Sequence, residues 1–202
     1  MDILFWSGGK DSYLALEFYK REYDQNQLKL LTTYREDNDM VPHQEIALDD
    51  IRKQAENLDL NLILVPLPKD CPNDVYLKKV GEALENCEKE IENLVFGDWK
   101  LEDIREWREE EFGKMGYRCL FPIWKKSLNE LMPVLMLKPV EVKINAAKDE
   151  YSKYIAVGET YDQKFVRQLP EDIDPMGENG EFHTKVTIQT FDDIEPEKQP
   201  LY

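Results

Sequence analysis

Short apolar runs alternate with amphipathic segments through the first half of the chain. The apolar runs have the length of buried strands and predict strands at 3–6, 28–34, 60–67 and 93–96. The segments between them repeat apolar residues at helical spacing, which predicts helices at 13–23, 45–57, 73–90 and 101–115. This alternation predicts an α/β fold, a parallel and doubly wound sheet with helices on both faces.

The pattern changes after residue 120. A short helical stretch at 127–136 stops near Pro139, and an acidic, turn-rich loop occupies 172–180. Extended segments are predicted at 140–144, 154–157 and 182–190. Because the chain shows no internal repeat and no long linker, we predict two units that pack together and share a cleft. They are a larger nucleotide-binding domain at residues 1–122 and a smaller, substrate-binding α/β domain at residues 123–202.

The most informative segment follows the first predicted strand and consists of Ser7, Gly8, Gly9, Lys10, Asp11 and Ser12. The two glycines let backbone N–H groups turn toward an anion, and the following helix adds a positive dipole end there. Ser7 and Ser12 can donate hydrogen bonds, and Lys10 can neutralise phosphate charge. A carboxylate beside a phosphate makes sense when Mg2+ lies between them, so Asp11 is the candidate metal ligand. The segment therefore predicts a nucleotide site.

Gly97 and Asp98 follow the predicted strand at 93–96. Open α/β sheets bind ligands beyond the carboxyl ends of their strands, where these two residues fall. A glycine permits close backbone approach, and Asp98 could ligate a metal or hold a ribose or a substrate amine. The alternative is that Asp98 only caps the helix predicted at 101–115.

The segment 177–184, GENGEFHT, is dense in chemically active side chains. Strand alternation predicts that Glu181 and His183 share one face, and His183 can exchange protons near neutral pH. The alternative is a glycine-rich hairpin with solvated charges, Glu178 among them. His43 also lies at a strand's carboxyl end, where a functional role and a surface-loop position are both open.

The net charge of −16 argues against a nucleic-acid backbone as partner, since that binding needs lysine and arginine. It suits a small substrate or a basic protein patch. No signal pattern opens the chain and no apolar run approaches the ~20 residues of a membrane span, so we expect a cytoplasmic protein without a membrane partner. Three widely spaced cysteines predict a reduced protein in which each is a small buried apolar residue.

Several motifs together resemble one known family. They are SGGKDS at 7–12, His43, Gln54-Ala55, Phe96-Gly97-Asp98, Phe121-Pro122-Ile123-Trp124 and GENGEFHT at 177–184. The combination resembles the diphthine–ammonia ligase family of the PP-loop ATP pyrophosphatase superfamily, also called the diphthamide synthase or ATP-binding domain 4 type. The similarity runs from residue 2 to about residue 190. It implies a HUP-type Rossmann-like domain followed by a smaller domain.

The resemblance also implies an activity. ATP adenylylates a carboxylate, pyrophosphate leaves, and ammonia displaces AMP to give an amide; in diphthamide synthesis the carboxylate is that of diphthine on translation elongation factor 2. By this resemblance residues 7–12 hold the β and γ phosphates with Mg2+. His43 and Gly97 join the nucleotide-binding set, Asp98 lies near the ribose or the reacting centre, and Glu178, Glu181 and His183 bind substrate or ammonium. A homo-oligomer stays open.

One position departs from the family pattern. A cysteine commonly precedes the Gly-Glu pair, whereas this chain has Met176 before Gly177 and Glu178, which excludes a cysteine role there. The segment 141–153 is rich in lysine and glutamate, so a pocket lined by it would accept something other than diphthine. Two alternatives therefore remain: a PP-loop enzyme that adenylylates another small substrate or a nucleotide base, and a non-catalytic ATP-binding module.

Overall fold

The computed structural model describes residues 1–137 and 140–189. In this part of the chain six α-helices occur: α1 (Lys10–Tyr19), α2 (Leu48–Asn57), α3 (Asn73–Glu85), α4 (Glu102–Lys114), α5 (Leu128–Leu137) and α6 (Gln163–Gln168). The described strands of the large sheet are β1 (Asp2–Phe5), β2 (Leu28–Arg35), β3 (Met40–Val41), β4 (Ile46–Ala47), β5 (Leu62–Leu67), β6 (Asn93–Val95) and β7 (Arg118–Leu120). A second, antiparallel sheet pairs β8 (Val140–Ala147) with β9 (Phe182–Ile188).

The large sheet has a parallel core in the order β5-β2-β1-β6-β7. The chain moves outward from β1 through β2 to β5, and then returns to the other side of β1 with β6. The order therefore reverses between β1 and β6, which is where open α/β sheets bind ligands. The predicted α/β class with a HUP-type Rossmann-like parallel sheet is confirmed, and a small second sheet lies beside it.

Both faces of the parallel sheet are buried, which explains its continuous apolar runs. Neighbouring strand residues point to opposite faces. Ile3 and Leu4 are both fully buried, yet Ile3 packs with Phe112 of α4, whereas Leu4 packs with Leu14 of α1. The cluster around Leu4 also contains Ile144 of β8 and other residues of the second sheet. The domain boundary at residue 122 stays a prediction, while residues on both sides of it share this cluster.

Several predicted boundaries differ from the observed ones. The helix predicted at 13–23 is α1, which begins at Lys10 and ends at Tyr19, and the helix predicted at 73–90 ends at Glu85. The sequence pattern missed β3, β4, β7 and α6 because each has too few residues to show a period. Residue 190, the end of the strand predicted at 182–190, lies outside the described residues.

The extended segment predicted at 154–157 is wrong. Its first residues close turns instead, because the N–H groups of Tyr154 and Ile155 both donate to the carbonyl of Tyr151. The edge of β8 pairs instead with residues farther along, through a bridge between Lys143 and Thr160. A strand forms by pairing with a free strand edge, and the edge of β8 pairs with Thr160 instead of with residues 154–157.

The cysteines also differ from the prediction. Cys71, Cys87 and Cys119 are free thiols, but each is half-buried rather than buried. None of the described helices combines the length and apolarity needed to cross a membrane.

The core beneath α4 yields a stability prediction. The Phe112 ring is fully buried and lies 5.5 Å from the rings of both Phe5 and Phe96. We expect Phe112→Ala to lower the free energy of unfolding by about 3–5 kcal/mol, since it leaves a cavity under the sheet. Urea denaturation measures this. Ile104→Ala, at an exposed position of the same helix, should change it by about 0.5 kcal/mol or less. Equal losses in the two variants would contradict the packing role of this ring.

Candidate functional site

The loop between β1 and α1 is shaped by glycines. Gly8 has a φ of 79°, and a Cβ there would lie 2.6 Å from Ile51 Cδ1 and 2.8 Å from Gln54 Oε1. Gly9 is the N-cap residue of α1 and supplies no side chain to cap it. The start of α1 therefore presents backbone N–H groups and the positive end of the helix dipole, the arrangement that binds phosphates.

The loop opens into a cleft of about 790 Å³, a volume typical of ligand sites. Its walls come from the carboxyl ends of the parallel strands, from the segment 176–178 and from the start of β9. Nine residues that the sequence predicted for the site line this cleft: Ser7, Lys10, Asp11, Ser12, His43, Gly97, Asp98, Glu178 and His183. Gly8, Gly9 and Glu181 are not among the residues that line the cleft, although the Gly9 N–H donates to Ser7, which is.

Gly97 touches the first turn of α1 directly. A Cβ at Gly97 would lie 2.8 Å from the carbonyl carbon and oxygen of Asp11 and 2.9 Å from the nitrogen of Ser12. These are backbone atoms of a helix and cannot move aside without distorting it. The segment after β6 therefore approaches the first turn of α1 this closely only because residue 97 has no side chain.

Asp98 does not cap α4, so that alternative interpretation is wrong. The N-cap residue of α4 is Leu101, and Asp98 instead forms an ion pair with Arg108, whose Nε lies 2.7 Å from its Oδ2. The Arg108 guanidinium also lies over the ring of Phe96 at 4.4 Å. Both charged residues line the cleft. Sequence reasoning missed Arg108 because it lies within a helix rich in charged residues.

Lys10 is held by protein groups. Its side chain is 2% exposed, and Nζ donates to Asp11 Oδ2 at 2.9 Å and to the carbonyl oxygen of Met176 at 2.5 Å. The ammonium also lies 5.4 Å from the ring centre of Tyr161 and 5.5 Å from that of Phe182. The positive charge therefore balances Asp11, and its action on a bound phosphate stays a prediction.

Asp11 has one carboxylate oxygen to spare. Oδ2 accepts from Lys10, whereas Oδ1 is buried without a hydrogen-bond partner among the described residues. Burial raises the pKa of Asp11, and the neighbouring Lys10 offsets part of that effect. A buried, unsatisfied acceptor is rare and is suited to ligate a cation. Within the described ranges no three His, Cys, Asp or Glu side chains gather into a metal cage.

Glu181 organises the loop before β9. It is 1% exposed and accepts hydrogen bonds from the backbone N–H groups of Asp174 and Asn179 and from the Asn179 amide. Burial alone would raise its pKa, but these hydrogen bonds outweigh burial and the pKa is lowered. The prediction that Glu181 shares a face with His183 is wrong, because Glu181 precedes the strand and turns into its own loop.

Glu178 and His183 face the cleft. Burial, aided by the charge of Asp11, raises the pKa of Glu178 to about 7. Burial lowers the pKa of His183, and the charge of Lys10 lowers it further. The ring centre of His183 lies 6.5 Å from that of His43. His43 is exposed at the rim, with a φ of 64°. Glu178 and His183 therefore place two groups with shifted pKa values in one cleft, where each can act as an acid or a base.

Two further residues support the loop and were not predicted from the sequence. Gln44 Oε1 would lie 2.9 Å from a Cβ at Gly9, so this amide packs directly on the loop. Thr184 Oγ1 accepts a hydrogen bond from the backbone N–H of Lys10 at 3.0 Å. Thr184 could have been identified from the sequence because it belongs to the GENGEFHT motif at 177–184. Gln44 has no sequence feature that indicates a role, except that it follows His43.

The parallel sheet, the glycine loop at its switch point and the cleft define a Rossmann-like α/β protein. The family model of the diphthamide synthase N-terminal domain matches residues 1–119, more than half of the 202 residues. The chain therefore belongs to the diphthamide synthase N-terminal domain family.

Among solved structures, the chain is similar to a predicted subunit of tRNA methyltransferase from Methanocaldococcus jannaschii. The identity is 16%, the TM-score is 0.44, and the match covers 93% of this chain and 97% of that one. It is also similar to the U34-tRNA thiolase NcsA from Methanococcus maripaludis, with 17% identity and a TM-score of 0.37, over 67% of this chain and 55% of that one. These values are too low to transfer a function. No curated protein matches the chain.

The contact of Gly97 with α1 predicts a selective effect of a single methyl group. We expect Gly97→Ala to destabilise the fold by about 1–3 kcal/mol, since the new Cβ overlaps backbone atoms of α1. Gly113 lies within α4, and a Cβ added there would have no atom within 4 Å. We therefore expect Gly113→Ala to leave the stability of the fold unchanged or to raise it by about 1 kcal/mol. Thermal unfolding of both variants measures this, and a neutral Gly97→Ala would contradict the close approach.

The carboxyl group of Glu178 predicts a pH dependence of stability. Its pKa rises from 4.5 to about 7 in the folded protein, so the neutral form stabilises the fold. That contribution is complete below pH 4.5 and is lost as the pH rises through about 7. Urea unfolding between these pH values should show a smaller decline for Glu178→Gln than for the wild type. Glu171→Gln, at an exposed position, serves as the control and should keep the wild-type decline.

Proposed function

We propose that this protein uses ATP to adenylylate a carboxylate, and that ammonia then displaces AMP to form an amide. The observation that carries the proposal is the unpartnered Oδ1 of Asp11 beside the start of α1, inside a cleft of nucleotide size. A helix N-terminus binds phosphate, and a spare carboxylate oxygen beside it binds the cation that accompanies phosphate. Membership of the diphthamide synthase N-terminal domain family supports the same chemistry.

In this proposal residues 7–12, here called the phosphate loop, bind the β and γ phosphates. Ser7 and Ser12 line the cleft, and their hydroxyl groups donate to Ser12 and to the Gly9 carbonyl, partners that phosphate oxygens would replace. The Gly9 N–H, whose hydrogen bond is a long 3.4 Å, offers a backbone donor. Asp11 would hold a divalent cation, Mg2+, through its spare oxygen, and the cation would supply positive charge that stabilises pyrophosphate. Gly97 and Asp98, at the end of β6, lie beside α1 and face the ribose and the α-phosphate.

In the first step, a substrate carboxylate oxygen attacks the α-phosphorus of ATP, and the bond to pyrophosphate breaks. In the second step, ammonia attacks the acyl carbon and AMP leaves with the bonding electrons. The nitrogen must lose one proton as the amide forms. Glu178 and His183 face the cleft with shifted pKa values and can accept it.

The substrate in the proposal is diphthine or a similar carboxylate. The net charge of −16 suits a basic protein surface around that group, or a small cationic substrate. One observation favours a different small carboxylate as a second candidate. Met176 lines the cleft where the family commonly has a cysteine, and its sulfur accepts a hydrogen bond from Tyr161. A larger apolar side chain at this wall changes what fits beside it.

Nucleotide binding is tested by calorimetric titration with α,β-methylene ATP, with and without Mg2+. We expect Mg2+-dependent binding to the wild type and at least about tenfold weaker binding to Asp11→Asn, because the amide is a poorer metal ligand. Asp70→Asn is the matched control, since Asp70 lines the cleft from the segment between β5 and α3 and not from the loop, and this variant should bind as the wild type does. Absence of binding to the folded wild type would overturn the proposal.

Turnover separates a ligase from a binding module. Release of pyrophosphate and formation of AMP are followed with ammonium and a panel of carboxylates, diphthine-bearing elongation factor 2 among them. The ligase proposal predicts AMP formation that requires both the carboxylate and ammonium. Tight nucleotide binding without AMP from any carboxylate would favour the non-catalytic module instead.

A further inference from the structure

Gln54 is a buried amide on the otherwise apolar face that α2 turns toward the phosphate loop. Its side chain is 4% exposed, among residues such as Ile51 and Ala55 that are equally buried. A buried amide is costly unless its hydrogen bonds are made. Here both N–H groups and the oxygen are used, and all three partners belong to other parts of the chain.

The three hydrogen bonds of Gln54 meet at the loop. Nε2 donates to the carbonyl oxygen of Gly8 at 3.1 Å and to that of Val186 in β9 at 2.6 Å. Oε1 accepts from the indole N–H of Trp6, the residue that follows β1, at 2.8 Å. One side chain therefore joins the beginning of the loop, its first glycine and strand β9.

The carbonyl of Gly8 is held from two directions. Besides Gln54, the backbone N–H of Val186 donates to it at 3.0 Å. Neither Gln54 nor Val186 lines the cleft, so this carbonyl points away from the cleft, toward α2 and β9. Glycine gives the backbone no preference for this orientation, which is why partners outside the loop must impose it.

The Gly8 carbonyl and the Gly9 N–H belong to the same peptide group, so the orientation of one sets the orientation of the other. A trans peptide is planar, with its C=O and N–H on opposite sides, and the described residues contain no cis peptide. With the Gly8 carbonyl held by Gln54 and Val186, the N–H of Gly9 points the other way, toward Ser7, which lines the cleft. Its hydrogen bond to Ser7 Oγ is a long 3.4 Å, which leaves the N–H available to an anion.

We infer that Gln54 is a positioning residue that fixes the peptide between Gly8 and Gly9, so that the Gly9 N–H is aimed at the phosphates of the bound nucleotide. This inference rests on the proposed binding of ATP by the loop. It assigns Gln54 no contact with the ligand. The residue acts through the loop backbone, and its effect should be confined to ligands that carry the pyrophosphate moiety.

The test compares Gln54→Met, which keeps the length of the side chain and removes its donors, with Asn57→Ala. Asn57 lies three residues later on α2 and also donates to a carbonyl of β9, that of Ile188, but it does not touch the loop. Gln54→Glu is a second variant, in which an oxygen for Trp6 remains while the donors are replaced by an acceptor. Thermal unfolding establishes that each variant is folded.

Three ligands are titrated by calorimetry: α,β-methylene ATP with Mg2+, pyrophosphate with Mg2+, and AMP. We expect Gln54→Met to bind the first two at least about tenfold more weakly and AMP within about twofold of the wild type. Asn57→Ala should bind all three as the wild type does. Unchanged ATP-analogue affinity in a folded Gln54→Met would overturn the inference, and so would equal losses for AMP and the ATP analogue. Failure of both Gln54 variants to fold would show a purely structural role and would also overturn it.

A measurement without nucleotide separates this inference from the proposed function. The amide resonance of Gly9 in a 1H–15N spectrum reports the orientation of its peptide, and it should shift in Gln54→Met but not in Asn57→Ala. A shift together with a wild type that binds no ATP analogue would retain the positioning role and reject the proposed ligand. An unshifted Gly9 amide would reject the positioning role even when the wild type binds ATP.

Discussion

The site depends on the docking of strand β9 behind the phosphate loop. Buried backbone groups must be hydrogen-bonded, and a glycine-rich loop has few side chains with which to do this. Strand β9 supplies the partners: the Val186 N–H bonds the Gly8 carbonyl, and Thr184 accepts from the Lys10 N–H. Just before β9, the Met176 carbonyl accepts from Lys10 Nζ. The loop is therefore completed by residues more than 160 positions away.

The charges in the cleft are arranged in pairs. Lys10 balances Asp11, and Arg108 balances Asp98. Buried ion pairs of this kind add little net stability, but each fixes the orientation of its carboxylate. Few cationic groups are thereby left open to a polyphosphate, which agrees with binding through backbone N–H groups, the helix dipole and a cation. The spare oxygen of Asp11 is where that cation fits.

The family model covers only one of the two walls of the cleft. Residues 1–119, which the diphthamide synthase N-terminal domain matches, contain the phosphate loop and the Gly97-Asp98 turn. A second wall, with Met176, Glu178 and His183, lies beyond the matched residues. We propose that the first wall holds the nucleotide and the second selects the substrate.

The sequence by itself determined the features that depend on neighbouring residues. Periodicity identified the strands and helices of the parallel sheet, and the SGGKDS segment predicted an anion-binding loop because strand, loop and helix are contiguous. Only the tertiary structure decided how distant side chains pair. It turned Glu181 into its own loop, buried Lys10 against Met176 and brought Gln54 to the Gly8 carbonyl. The physical reason is that hydrogen bonds and ion pairs require partners within about 3 Å, and these partners come from parts of the chain that carry no shared period.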